Sequence, residues 1–170
     1  MTVAWAGQWL EVVSEEGWEY ARRPGRVAAA AVLAITDAGE VLLVEQRRIP
    51  LGASTIELPA GLVGDIASDA GEDPETAARR ELLEETGFEA AHWRHLGEFA
   101  PSPGMTSERI HLFLATGLRA VGPGGGHAGE AISVHRVPLS DIGPFLAQAR
   151  AAGLAIDAKL LMLTPWARLG

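Results

Sequence analysis

The chain contains no cysteine. This absence excludes disulfide bonds, zinc–thiolate centres and cysteine nucleophiles. Long hydrophobic runs are missing too, since no apolar stretch approaches the about 20 residues needed to span a bilayer. The N-terminus, MTVAWAGQWLEVVSEEG, lacks the basic segment followed by an apolar segment that marks a signal peptide. These absences lead us to expect a cytoplasmic protein without a membrane partner.

Positive charge is also scarce. Lysine and arginine number 14 against 22 aspartates and glutamates, which gives a formal net charge of -8. Proteins that bind nucleic acid normally carry a basic domain or stripe, so we expect no nucleic-acid partner. A small phosphorylated substrate is compatible with this acidity if a divalent cation and a few arginines offset the negative field. The length of 170 residues suits a single domain.

Short strands separated by turns dominate the first part of the chain. Residues 9–22 predict a hairpin with its turn at Glu16-Gly17, and residues 27–46 predict a second hairpin. The segment STIELPAGL predicts a strand that ends at Pro59. Further strands are predicted on both sides of the glycine-rich segment VGPGGGHAGE, which lacks the Lys-Ser/Thr of a phosphate-binding loop. We interpret that segment as a flexible connection.

Three helices are predicted between and after the strands. The first covers residues 74–86, where Asp73 can cap the N-terminus and Gly87 can adopt the left-handed conformation that closes the C-terminus. The other two lie near the C-terminus, at about residues 141–153 and 157–169. This mixture of hairpins and separated helices favours an α+β fold in which a mixed sheet packs between helices.

The segment RRELLEETGF places three glutamates on one face of the first helix. Glu81, Glu84 and Glu85 stand at i, i+3 and i+4, so they are neighbours on the helix surface. Each like-charge pair costs an isolated helix about 0.2 to 0.5 kcal/mol. A solvated acidic face is the ordinary explanation of such a pattern. However, the flanking side chains of Ala77 and Ala78 are small enough to leave space for a ligand, and carboxylates on adjacent turns can converge on Mg²⁺ or Mn²⁺.

The residues around this helix resemble the Nudix family. The Nudix motif, G-x5-E-x7-R-E-U-x-E-E-x-G-U with U a bulky apolar residue, is matched by Glu72 and residues 80–88. The motif glycine would fall at Ile66, whereas Gly61 matches better and implies a five-residue insertion in the loop. VEQRRIP and IELPAG resemble segments that precede the motif in ADP-ribose pyrophosphatases, and Pro103 resembles a proline that follows it in that group.

This resemblance covers residues 18–165 and implies a Nudix fold, an α/β/α sandwich with a mixed β-sheet. It implies Mg²⁺ or Mn²⁺ as the cofactor. The implied metal ligands are Ala60, through its backbone carbonyl, and Glu81, Glu84 and Glu85. The implied catalytic residues are Glu108 as general base, with Glu84 and Glu85. The implied substrate-binding residues are Arg48, Glu57, Pro103 and Trp18.

The resemblance also implies an organisation and a role for several of these side chains. An N-terminal arm, residues 1–25, would contribute to a homodimer and precede a hydrolase domain at residues 26–170. Arg48 would hold a phosphate, Glu57 would bind substrate or support the loop, and Trp18 would stack on adenine. The residues alone leave simpler alternatives open: a surface arginine, a solvent-facing strand glutamate and a packing tryptophan.

The reaction that the resemblance implies is hydrolysis of the pyrophosphate of ADP-ribose, giving AMP and ribose 5-phosphate, or of a related nucleoside diphosphate sugar. GDP-mannose, another nucleotide sugar and a dinucleotide are alternatives within the same class. A nucleotide-binding module without turnover is the alternative from another class, although a pure binder has no need of three clustered carboxylates. The five histidines do not show the spacing of a metal triad, and we interpret them as surface or strand residues.

Overall fold

The computed structural model describes residues 1–64, 71–126 and 131–163. The α-helices in these ranges are α1 (Pro74–Thr86) and α2 (Ile142–Ala151). The strands in chain order are β1 (Thr2–Ala6), β2 (Glu11–Glu15), β3 (Trp18–Arg22), β4 (Ala29–Ala34), β5 (Glu40–Arg48), β6 (Ala53–Glu57), β7 (Ala60–Leu62), β8 (Phe88–Phe99), β9 (Ile110–Ala120), β10 (Ser133–Pro138) and β11 (Ala155–Ile156).

The N-terminal strands form a three-stranded antiparallel sheet of their own, in the order β1-β2-β3. The hairpin predicted at residues 9–22 is confirmed as β2 and β3. Its turn residues, Glu16 and Gly17, both have positive φ, at 51° and 84°. A two-residue hairpin turn needs this conformation to follow the twist of its strands. Strand β1 is an addition to the predicted elements, and all five of its residues are exposed.

Two four-stranded sheets form the body of the protein, in the orders β10-β5-β6-β11 and β7-β4-β9-β8. Parallel pairing of β4 with β9 and of β6 with β11 makes both sheets mixed. The hairpin predicted for residues 27–46 is therefore wrong: β4 and β5 belong to different sheets, and Ile35 and Val41 form an isolated bridge between the two segments. Both strands are apolar runs, and such a run indicates burial on both faces without identifying the neighbouring strand.

The apolar core has two clusters, each of which includes one of the helices. The first joins α2 to both sheets and contains Leu43 and Leu146. The second joins α1 to the sheet of β4 and β9 and contains Leu82 and Phe113. The sheets therefore lie between two helices, so the predicted α+β fold with an α/β/α arrangement is confirmed. Among the described residues, no helix combines the length and the apolar character that a membrane crossing requires.

The C-terminal segment differs from its prediction. In place of the helix predicted at residues 157–169, the structure has a 3₁₀-helix over Ala158–Leu163, and residues 164–170 lie outside the described ranges. The fully buried Leu160 anchors this turn in the core. Just before it, the Asp157 N–H donates to the Ile56 carbonyl at 3.0 Å. This bond extends the β6–β11 pairing and places Asp157 beside the end of β6.

Candidate active site

Helix α1 begins and ends where its sequence signals predict. The Asp73 side chain accepts hydrogen bonds from the backbone N–H groups of Glu75 and Thr76, at 3.0 and 3.2 Å. Hydrogen bonds from Thr76 hold the pKa of the Asp73 carboxyl below its ordinary value. At the other end, Gly87 has a φ of 74° and its N–H donates to the Leu83 carbonyl. The glutamates of α1 therefore stand on a helix that is fixed at both ends.

Strand β7 lies beside α1, and the Glu81 carboxylate occupies the space next to Gly61 where a side chain would stand. A Cβ atom on Gly61 would lie 1.9 Å from Oε1 of Glu81. On the preceding residue, the Ala60 N–H donates to Oε2 of Glu85 at 3.0 Å. Glu85 is only 5% exposed, so this bond partners a buried carboxylate. The structure thus brings together Ala60, Glu81 and Glu85, three of the residues predicted as metal ligands.

Arg80 connects the carboxylates of this region to one another. Its Nη1 lies 2.6 Å from Glu81 and 3.3 Å from Glu84, while Nη2 donates to the Leu62 carbonyl and to Glu72, at 3.0 and 3.2 Å. Burial disfavours its charge, but the hydrogen bond to Glu72 and the charge of Glu81 outweigh this effect and raise the pKa of Arg80. Arg80 therefore remains a permanent cation between acidic side chains.

Glu72 keeps a defined position in spite of the longer loop that precedes it. Its Oε2 accepts a hydrogen bond from the Gly64 N–H at 3.1 Å, and both of its oxygens contact Arg80. Residues 65–70 of this loop lie outside the described ranges. The contacts with Gly64 and Arg80 place Glu72 beside α1, where it orients the guanidinium of Arg80.

The acidic residues on and beside α1 suit a hard divalent cation. Three carboxylates, those of Glu72, Glu81 and Glu84, contact the guanidinium of Arg80, so negative charge is in excess around it. The carboxylate of Glu85 follows on the same helix and accepts the Ala60 N–H. Carboxylate oxygens are the ligands preferred by Mg²⁺ and Mn²⁺. Within the described ranges, no three carboxylates or imidazoles converge as a ready-made metal site. These donors would suit such an ion if Glu81 and Glu84 were turned from Arg80.

Arg48 and Glu57 form a bidentate ion pair where β5 and β6 meet. Arg48 Nε and Nη2 donate to the two carboxylate oxygens of Glu57, both at 2.7 Å. The hydrogen bonds to Glu57 raise the pKa of Arg48, and the charges of Glu85 and Asp157 add to this rise. Glu57 is 5% exposed, so the alternative of a solvent-facing strand glutamate is wrong. The side chain of Arg48 stays 41% exposed, and the pair presents a positioned cation at the surface.

The predicted base, Glu108, lies on the loop between β8 and β9. Arg23 Nε donates to its carboxylate at 3.3 Å. The loop is fastened to β3 by backbone hydrogen bonds, since Ala21 donates to the Met105 carbonyl and accepts from the Ser107 N–H, at 2.9 and 3.0 Å. The N-terminal sheet therefore holds the segment that carries Glu108.

Three of the predicted residues line one cavity between β3 and this loop. Trp18, Pro103 and Glu108 all contribute to its walls, and its volume is about 410 Å³. Trp18 is 63% exposed, so it does not pack in the core of this chain. A second cavity of about 290 Å³, lined by Arg22 and Arg23, adjoins the other side of Glu108. We call the first of these the arm cavity.

The arm cavity and the acidic face of α1 border the same end of β4. The Ala29 N–H donates to the carbonyl of Arg109, the residue after Glu108, at 2.9 Å. Ala29 also pairs with Leu62 of β7. The Leu62 carbonyl in turn accepts a hydrogen bond from Arg80. The acidic face of α1 and the arm cavity are thus linked through a short stretch of backbone, while Arg48 and Glu57 form the separate pair described above.

The glycine-rich segment after β9 closes the C-terminal end of α1, so its interpretation as a flexible connection is wrong for residues 121–126. Gly125 donates its N–H to the Glu85 carbonyl at 2.8 Å, and Gly126 donates to the Glu84 carbonyl at 3.0 Å. These bonds satisfy carbonyls that a helix end otherwise leaves without a partner. Residues 127–130 lie outside the described ranges. The signal in the sequence was the run of three glycines, but no spacing rule connects that run to a helix so much earlier in the chain.

The fold and the site together define the class of protein. Mixed sheets lie between two helices, and the glutamate-rich helix lies against a glycine-containing strand. The family model of the NUDIX domain matches residues 25–158. The chain therefore belongs to the Nudix family.

The chain is also similar to curated proteins that have different names. The chain is 47% identical over 100 residues to the methanol dehydrogenase activator of Bacillus methanolicus, covering 59% of this chain and 50% of that protein. It is 43% identical over 100 residues to the ADP-ribose pyrophosphatase of Bacillus subtilis (strain 168), again with 59% and 50% coverage. The chain thus spans about half the length of these curated relatives. A crystal structure of an ADP compounds hydrolase has the same fold, with a TM-score of 0.70, 22% identity and coverage of 95% and 88%.

Proposed function

We propose that this protein is a Mg²⁺- or Mn²⁺-dependent pyrophosphohydrolase that cleaves ADP-ribose, or a related nucleoside diphosphate sugar. The observation that carries the proposal is the approach of α1 to β7, where Gly61 leaves space for the Glu81 carboxylate and Glu85 is fixed by the Ala60 N–H. The similarity to an ADP-ribose pyrophosphatase supports the choice of substrate.

In this proposal, Glu81, Glu84, Glu85 and the carbonyl of Ala60 would hold the cation. When bound, it would neutralise phosphate charge and lower the pKa of a water molecule. Arg80 would give up its contacts with Glu81 and Glu84 but keep those with Glu72 and the Leu62 carbonyl. The guanidinium would then connect α1 to Glu72 and Leu62, and it would no longer neutralise Glu81 and Glu84.

Arg48 would bind a phosphate oxygen of the substrate. Its guanidinium has five N–H donors, and the two bonds to Glu57 fix its plane while its exposed part faces solvent. A positioned arginine binds an incoming anion without losing as much side-chain entropy as a mobile one. Glu57 therefore acts in this proposal through Arg48, as a positioning residue.

Glu108 would act as the general base. Its carboxylate would take a proton from the water that attacks one phosphorus, the bridging P–O bond would break, and the leaving phosphate would depart as the second product. With ADP-ribose the products are AMP and ribose 5-phosphate. Arg23 holds the Glu108 carboxylate from one side at 3.3 Å, and the loop is tied to β3. Trp18 and Pro103, on the wall of the arm cavity, would contact the nucleoside.

The N-terminal arm supports a proposed homodimer. Large apolar side chains are exposed on its three-stranded sheet, at Val3, Trp5 and Trp18, and in the connection between β1 and β2, at Trp9 and Leu10. Apolar surface of this kind is characteristic of interaction sites. Light scattering should give the mass of a dimer at micromolar concentration, and a monomeric mass would contradict the proposal.

A panel of nucleoside diphosphate derivatives tests the proposed reaction directly. ADP-ribose, GDP-mannose, other nucleotide sugars and dinucleotides should be incubated with the protein and Mg²⁺, and the products identified by chromatography. We expect the fastest turnover with ADP-ribose, and AMP among the products. Faster cleavage of GDP-mannose would move the assignment to that alternative. Binding of these compounds without turnover of any of them would identify a nucleotide-binding module.

A further inference from the structure

Two histidines that are 16 positions apart in the sequence meet on adjacent strands of the main body. His95 lies on β8 and His111 on β9, and Nε2 of His95 is 3.2 Å from Nδ1 of His111. The ring centroids are 5.3 Å apart. Their sequence spacing gave no indication of this pair, because cross-strand neighbours are set by register.

A bulge in β8 places an acidic side chain on the same face as the pair. Residues His95 and Gly97 are consecutive in the register with β9, so the intervening residue is extra, and Glu98 stands directly opposite His111. Glu98 Oε2 is 3.7 Å from Nε2 of His111. The carboxylate therefore faces one ring nitrogen of His111, while the other nitrogen faces His95. On its far side, the His95 ring packs against Phe113 with centroids 4.9 Å apart.

The separation of the two nitrogens matches the bite of a tetrahedral metal ion. Imidazole nitrogens bind Zn²⁺ at about 2.0 to 2.1 Å, so two of them in tetrahedral geometry lie about 3.3 to 3.4 Å apart. The observed 3.2 Å is close to this value, and either a proton or a metal ion can lie between the two atoms. A carboxylate behind a histidine is also the usual outer partner of a metal-binding imidazole.

We propose that His95 and His111 form a binding site for a divalent transition ion of the Zn²⁺ type. Imidazole suits Zn²⁺, Cu²⁺ and Ni²⁺, whereas Mg²⁺ prefers the oxygen ligands found on α1. No third histidine or carboxylate of the described residues completes a cluster there. The protein thus supplies two ligands and water supplies the rest, which makes the site open to solvent.

The new site lies on the face of the sheet that carries α1, at a distance from the glutamates. Ala30 of β4 pairs with Gly61 on one side and with His111 on the other. Two strand spacings, about 10 Å, therefore separate the backbones of Gly61 and His111. This inference does not depend on the proposed hydrolase activity, because it concerns different ligands and a different class of metal.

Calorimetric titration of the full chain with ZnCl₂ tests the proposal. The titration is done without substrate and in saturating Mg²⁺, which occupies the carboxylates of α1. The wild-type chain should bind one Zn²⁺ that Mg²⁺ does not displace. His95→Gln, which keeps a polar side chain at an exposed position, should weaken this binding at least about 10-fold, and Glu98→Gln should weaken it by less. His135→Gln is the matched control, since His135 also lies on a strand beside a carboxylate, that of Glu45 at 3.1 Å.

Two results would overturn the proposal. The first is the absence of Mg²⁺-resistant Zn²⁺ binding by the wild-type chain, which would mean that the two rings share only a hydrogen bond. The second is equal affinity of the wild-type and His95→Gln chains, with matching thermal unfolding to show that both are folded. His111→Ala provides an independent variant for the same comparison, and we expect it to lose the site as well.

Discussion

The acidic face of α1 and the arm cavity differ in how firmly the fold holds them. The acidic face lies on a helix that is capped at both ends, and its Glu85 is 5% exposed and bonded to the backbone of Ala60. The arm cavity lies between an edge strand and a loop, and its Trp18 is 63% exposed. Buried, well-connected groups keep one geometry, whereas exposed loop groups adapt to what binds them.

This difference suggests a division of roles in the proposed enzyme. Metal ligands need a well-defined scaffold, and the approach of β7 to α1 fixes Glu85 against Ala60, whereas Glu81 and Glu84 would have to turn from Arg80 to reach the proposed ion. Contacts with the nucleoside can vary between related enzymes, and loops on a rigid scaffold allow such variation. Glu108 lies on the loop that lines the arm cavity, yet its proposed role is catalytic. Substitution of Glu108 is therefore the sharpest test of this division of roles.

The largest effect is expected from Glu108→Gln. Loss of a general base should lower kcat by about 10² to 10⁴-fold, because glutamine cannot accept the proton of the attacking water. The Mg²⁺ concentration for half-maximal rate should not change, since Glu108 is not among the proposed metal ligands. The assay is initial rate against Mg²⁺ concentration with ADP-ribose as substrate. Glu89→Gln is the control, an exposed carboxylate that pairs with Arg119 at 2.7 Å. Full activity of Glu108→Gln would place the base elsewhere, on one of the glutamates of α1.

A somewhat smaller loss of kcat, together with a raised Mg²⁺ requirement, is expected from Glu85→Gln. The amide oxygen can still accept the hydrogen bond of the Ala60 N–H, so the fold should remain intact. The lost charge should lower kcat by about 10² to 10³-fold, comparable to removing one preorganised electrostatic contact. It should also raise the Mg²⁺ requirement, in contrast to Glu108→Gln. Glu75→Gln on the same helix is the control, because the side chain of Glu75 is 42% exposed and its ion pair with Arg79 lies at the surface. Unchanged Mg²⁺ dependence in Glu85→Gln would show that this carboxylate is not a metal ligand.

Local signals in the sequence were sufficient for α1 and for the first hairpin. Asp73 and Gly87 act within one helical turn of the residues that they cap, so the limits of α1 follow from a short window. The motif around Glu81 and Glu85 identified the acidic face by the same kind of local pattern. Gly61, which the sequence matched to the motif glycine, lies against the Glu81 carboxylate.

Contacts between distant segments could not be read from the same patterns. The partners of β4 are β7 and β9, which the apolar run AAAVLA does not specify. The bidentate pair of Arg48 with Glu57 depends on the register of β5 and β6. The glycine segment that caps α1 and the pairing of His95 with His111 likewise arise from tertiary structure, where no sequence period applies.

The smallest effect, and the most direct test of what stabilises the acidic face, is expected from Gly124→Ala. Gly124 has a φ of 65°, and a Cβ atom there would lie 2.4 Å from the carbonyl carbon of Thr86. The left-handed backbone and the clash should together lower the free energy of unfolding by about 1 to 3 kcal/mol. Gly122→Ala is the matched control, because Gly122 lies in the same glycine-rich segment with no atom within 4 Å of its Cβ position and without a left-handed φ, so alanine should be close to neutral there. Urea denaturation of both variants measures the difference. If the two variants were equally stable, the glycine-rich segment would not hold the end of α1. If Gly124→Ala were less stable and also needed more Mg²⁺, the glycine-rich segment would be shown to position Glu84 and Glu85.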